Sequence, residues 1–100
     1  MIEFIPLGIT EVISTDFAVT ASTPAGLLLK DGSASDSVTV GGVALIQSRT
    51  SAGKYITIGT MDCNGVARTL AQPGTYRIIK RASPAVPVGQ TQTAYGLDKD

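Results

Sequence analysis

One hundred residues suffice for one small domain and no more. Histidine and tryptophan are absent and Cys63 stands alone, which excludes a histidine-based triad, a Cys/His zinc site and an intramolecular disulfide. Lys plus Arg and Asp plus Glu number 8 each, so the net charge is zero and no strong nucleic-acid footprint exists, nor does any apolar run approach a membrane span.

The elements read in chain order as strands. Residues 1–6 lack the basic start and long apolar stretch of a signal peptide, so none is expected. Extended runs follow at 2–7, 9–14 and 16–21, the last with Phe17, Val19 and Ala21 on one face. Thr23-Pro24-Ala25-Gly26 reads as a turn, because proline presets one dihedral and glycine permits a positive one. The apolar run 26–30 suits a strand close to a second layer, and 31–36 a polar loop. Strands are expected again at 37–40, 43–47 and 54–61, where Ile56 and Ile58 share a face. Asp62-Cys63-Asn64-Gly65 carries the chain's strongest hairpin signal, leading into strand 66–70. Gln72-Pro73-Gly74 turns into the strand 75–81. Short strands at this spacing predict an all-β sandwich or barrel. Beyond Arg81 the period is lost and Pro84, Pro87, Gly89 and Gly96 intervene. The expected division is therefore an N-terminal arm or edge strand at 1–15, a core at 16–81 and an extended tail at 82–100.

Candidate chemistry is sparse. Asp31 to Asp36 alternates oxygens as a calcium loop does, yet Asp36 and Gly42 stand where such a loop needs its glycine and bidentate glutamate. The acidic residues fall mostly in turns and termini, where turn chemistry accounts for them. Cys63 has no basic neighbour in sequence to activate it. No catalytic residue, cofactor or metal is expected, and no enzyme.

Contact surfaces are better marked. Residues 1–50 carry Lys30 and Arg49 against five acids, a net of −3, whereas residues 51–100 carry a net of +3. Arg68 and Arg77, on adjacent expected strands, would face outward together and form a basic docking face with Arg81. Ile2, Phe4, Ile5 and Leu7 form an apolar cluster suited to an edge strand or to crossing onto a neighbouring subunit. Val86, Val88, Tyr95 and Leu97 are the apolar residues of the tail, which would lie as an arm on a partner.

Leu70-Ala71-Gln72-Pro73-Gly74-Thr75-Tyr76-Arg77-Ile78 resembles the tyrosine corner of immunoglobulin-like and fibronectin-like sandwiches, in which a tyrosine hydroxyl bonds back to the backbone upstream. Together with residues 17–24, 27–32 and 55–60, it looks like the small β-sandwich proteins of tailed-bacteriophage virions; the likeness spans residues 10–81. The resemblance implies a Greek-key β-sandwich, immunoglobulin-like or jelly-roll, with extended terminal arms. It implies a non-enzymatic capsid decoration or cement protein, bound across major capsid protein subunits on the virion head and assembled in the bacterial host cytoplasm. A homodimer or homotrimer is expected, with no nucleic acid and no membrane. The alternative is a tail- or fibre-associated adhesin domain that binds host surface glycan.

Overall fold

The computed structural model describes residues 2–31 and 42–100, so the expected strand 37–40 and most of the loop 31–36 lie outside the described residues. Nine strands are described: β1 (Ile2–Gly8), β2 (Val12–Ile13), β3 (Phe17–Val19), β4 (Ala25–Lys30), β5 (Ala44–Arg49), β6 (Tyr55–Met61), β7 (Ala67–Leu70), β8 (Gly74–Lys80) and β9 (Tyr95–Lys99). Sheet A runs β1-β9-β4-β7 and sheet B runs β2-β8-β5-β6, with β3 also on β8; every pairing is antiparallel. The expected all-β sandwich is what these residues form.

Alternation explains which side chains meet between the sheets. In β4, Leu27 and Leu29 point inward; in β8 it is Tyr76 and Ile78, and in β5 Ala44 and Ile46. Ile5, Val19, Ala25, Met61 and Leu97 join them in the core cluster among the described residues. Phe17 stands edge-on to Phe4, with ring centroids 5.5 Å apart, and lies beside Tyr76 at 6.1 Å. The Tyr76 hydroxyl donates to the Gln72 carbonyl at 2.6 Å, the upstream bond expected at this corner.

Lys80 crosses the gap between the layers. Its side chain leaves β8 of sheet B, and Nζ donates to the Gly8 and Tyr95 carbonyls of sheet A at 2.8 and 3.0 Å. Burial holds its pKa below the ordinary lysine value. The break between β2 and β3 is bridged by Ser14, whose hydroxyl accepts the Ile78 amide at 2.8 Å while its own amide donates to Ile78 O.

Two expectations are corrected here. The C-terminal segment is not a free arm: residues 95–99 form β9, an interior strand of sheet A between β1 and β4, whereas residues 2–8 take the edge-strand form of the two expected for the N-terminus, as β1. Tyr95 and Leu97 are accordingly buried, and Ile5 is buried opposite Leu97. Gly96 permits this arrangement, since a Cβ there would sit 2.6 Å from the Ile5 carbonyl oxygen and 3.0 Å from the Leu7 nitrogen. The second correction concerns the Asp62–Gly65 turn. It closes with reciprocal backbone bonds of 3.2 and 3.0 Å, but joins β6 of sheet B to β7 of sheet A rather than two partners in one ladder.

Candidate functional site

The ionisable side chains that pair with one another fall in separate places on the two sheets. Lys30 and Asp98 are each only 1 % exposed; Lys30 Nζ lies 2.7 Å from Asp98 Oδ1 and 3.4 Å from Glu3 Oε2. Both Asp98 oxygens are buried, and the ion pair with Lys30 is what compensates the carboxylate there. Contact with the Asp98 side chain outweighs the cost of burial and raises the Lys30 pKa above its ordinary value. This pair ties neighbouring strands β4 and β9, and removing either partner would leave a buried charge.

On the outer face of sheet B, the Tyr55 hydroxyl donates to the Asp16 carboxylate, 2.8 and 2.7 Å from its two oxygens, and that bond pushes its pKa up. Arg77 stacks 3.5 Å above the Tyr55 ring and donates through Nε to Gln47 Oε1 at 2.8 Å. Beside this cluster, Arg49, Thr50, Ser51, Gly53, Gly74 and Thr75 line an open polar cleft of about 400 Å³. Among the described residues no group of three metal-ligating side chains occurs, and Cys63 is exposed in its turn.

The expected basic face is corrected. Arg68 lies on β7 of sheet A and Arg77 on β8 of sheet B, so they are not on neighbouring strands. Arg68 instead reaches across to β6, where Nη2 donates to the Thr60 carbonyl at 2.9 Å over the space left by Gly59. Arg81 is exposed, with Nε 3.7 Å from Glu11 Oε2. Of the N-terminal cluster, Ile2 is exposed, Phe4 and Leu7 are half-buried, and Ile5 belongs to the core.

Strand edges offer little for pairing. β1 contains Pro6 and two register shifts, β7 has four residues, and the β2–β3 edge is interrupted. On β6, Ile58 is the extra residue of a register shift, and Arg68 caps the edge carbonyl beyond it. Bulges, prolines and charged side chains at edges all oppose strand addition.

The most prominent surface element is the segment 81–94 between β8 and β9. Its base is laced: the Ser83 amide donates to Ile9 O at 2.8 Å, the Ser83 hydroxyl to Thr93 O at 2.6 Å, and Gln92 Nε2 to the carbonyls of Ser83 and Pro84. At its tip, Gln90 N donates to Pro87 O and Gly89 takes a φ of 90°. Val88 is fully exposed there, and Val86 is partly so. Val86 and Val88 thus lie at the surface on a loop anchored at both ends, not on a free arm. Sequence reasoning missed Ser83 and Gln92; their only signal was that they are polar residues flanking the proline-rich stretch. Comparison with protein-family models, with curated proteins and with solved structures finds no match for this chain.

Proposed function

We propose that the protein is a non-enzymatic component of a bacteriophage virion that decorates or cements the capsid head by binding across major capsid protein subunits. The observation that supports this reading is the loop 81–94, which presents Val86 and Val88 to solvent on a base held by Ser83 and Gln92. An apolar tip on an ordered base loses little conformational entropy on docking, so the burial it gains is retained as affinity. Anything that binds only the assembled lattice stabilises it by mass action, and many copies multiply the effect. The resemblance of residues 10–81 to virion sandwiches supplies the partner class.

Co-sedimentation with purified heads tests the reading. The intact chain should pellet with heads, and Val86→Ser/Val88→Ser should weaken attachment by about tenfold while leaving the melting curve unchanged. Failure of the intact chain to bind heads would retire the proposal. The polar cleft at Arg49, Ser51 and Thr75 favours a second reading, a tail- or fibre-associated adhesin for host glycan. Copy number separates the two: hundreds per particle place the chain on the head, a few or tens on the tail.

A further inference from the structure

We propose that this protein cross-links itself: the side chains of Lys30 and Asp98 condense to an amide between Nζ and Cγ, with Glu3 carrying the protons. The three residues come from three adjacent strands of sheet A. Glu3 on β1 stands directly opposite Asp98 on β9, and Asp98 stands opposite Leu28 on β4. Lys30 lies two residues beyond Leu28, opposite Gly96, which has no side chain to block it, so its ammonium reaches along the diagonal to Asp98. Nζ ends 2.7 Å from Asp98 Oδ1 and 3.4 Å from Glu3 Oε2. Lys30 and Asp98 are buried, including both carboxylate oxygens. Glu3 is about half exposed and leads from the pair to solvent. The other basic groups lack this combination. Lys80, as deeply buried, faces the Gly8 and Tyr95 carbonyls, which offer no acid to condense. Arg49 and Arg81 meet Asp16 and Glu11 at the surface, through guanidinium groups that stay protonated.

The chemistry needs no oxidant and no cofactor. Two charges held away from water favour neutralisation, so one proton passes from the Lys30 ammonium to Asp98 and leaves an amine beside a carboxylic acid. The ion pair opposes this step, and the reaction is accordingly slow. The amine lone pair then attacks Asp98 Cγ and forms the N–C bond. Glu3 takes a proton from the nitrogen and returns it to the departing hydroxyl. The C–O bond breaks, the carbonyl re-forms, and one water leaves along the exposed side of Glu3. Holding the two groups in contact replaces an encounter in solution, an advantage that reaches effective molarities of ~10⁵–10⁸ M in well-oriented systems. Each chain makes one bond, which staples β9 to β4.

Intact-mass spectrometry of the purified full chain reads the bond without any capsid, so the inference stands or falls separately from the proposed function. The folded chain should weigh one water, about 18 Da, less than its sequence. Its tryptic digest should contain a branched peptide joining Lys30 to Asp98, with no cleavage after Lys30. Glu3→Gln keeps the buried pair and alters a half-exposed side chain, so it should stay folded by circular dichroism and condense about a hundredfold more slowly. Lys30→Arg keeps the charge without the nucleophile and should retain its sequence mass. It also separates the cross-link from backbone cyclisation at Asp31-Gly32, which loses water too. A folded chain that keeps its sequence mass through prolonged incubation overturns the inference, as does a water loss that persists in Lys30→Arg or maps to Asp31. Condensation at an unchanged rate in Glu3→Gln overturns the role given to Glu3.

Discussion

Leu97→Ala is the most direct probe of the arrangement of sheet A. Leu97 is fully buried on an interior strand, with Ile5 opposite it on β1 and Leu29 opposite it on β4. Its truncation removes apolar burial and leaves a cavity that the two flanking strands cannot close, costing about 3 kcal/mol. An unfolding entropy of ~2.1 cal/mol/K per residue over this chain converts that loss to a fall of about 14 °C in Tm. It also consumes a large part of the ~5–15 kcal/mol that holds a small domain together. Thermal melts followed by circular dichroism should show this fall for Leu97→Ala, and truncation after Arg81 should abolish the transition. A truncated chain that still melted cooperatively, or a Leu97→Ala shift under about 3 °C, would refute the placement of β9 inside sheet A.

Two further outcomes follow from the same packing. Gly96→Ala forces a methyl group against the Ile5 and Leu7 backbone and should cost about 3 kcal/mol or more, read as a lowered urea midpoint; an unchanged midpoint would show that β1 does not cross so closely. Lys80→Met tests the buried ammonium through pH. Its folded pKa is depressed, so between that value and the unfolded 10.5 the unfolded chain binds more protons and the lysine protein gains stability as pH rises. The stability difference between the lysine and methionine proteins should therefore move in favour of lysine as pH climbs towards 10.5; a flat or opposite trend in urea melts would contradict the burial of Lys80.

Much of the sandwich was legible because its strands announce themselves. The alternation at 75–81 and the Gln72-Pro73-Gly74 turn point to β8, and the continuous run at 26–30 points to β4 beside a second layer. β9 was hidden by its own composition. Tyr95 and Leu97 alternate for only two positions, and Gly96, Asp98 and Lys99 carry the marks of a polar tail. Gly96 is needed for a backbone that passes close by, and Asp98 is tolerated because Lys30 neutralises it from the next strand. Neither reason is local in sequence. The basic face failed for a related reason. Arg68 and Arg77 sit on strands consecutive in the chain, but the Asp62–Gly65 turn changes sheets, and β8 then returns to sheet B. The surface loop was legible as an irregular, proline-rich segment, whereas its lacing by Ser83 and Gln92 depends on contacts that no spacing rule supplies.

The pairing of β1 with β9 also sets a schedule for synthesis. Ile2 lies opposite Lys99, so β1 has no ladder partner until the nearly one hundred residues from Ile2 through β9 have been translated. At ~5–20 residues per second, that interval is roughly 5–20 s. During it, Ile5 and the side of β4 destined for β9 are open to the crowded interior of the cell, and sheet B can assemble while sheet A waits. Nascent chains stalled before residue 95 should therefore need chaperone protection that the released protein does not.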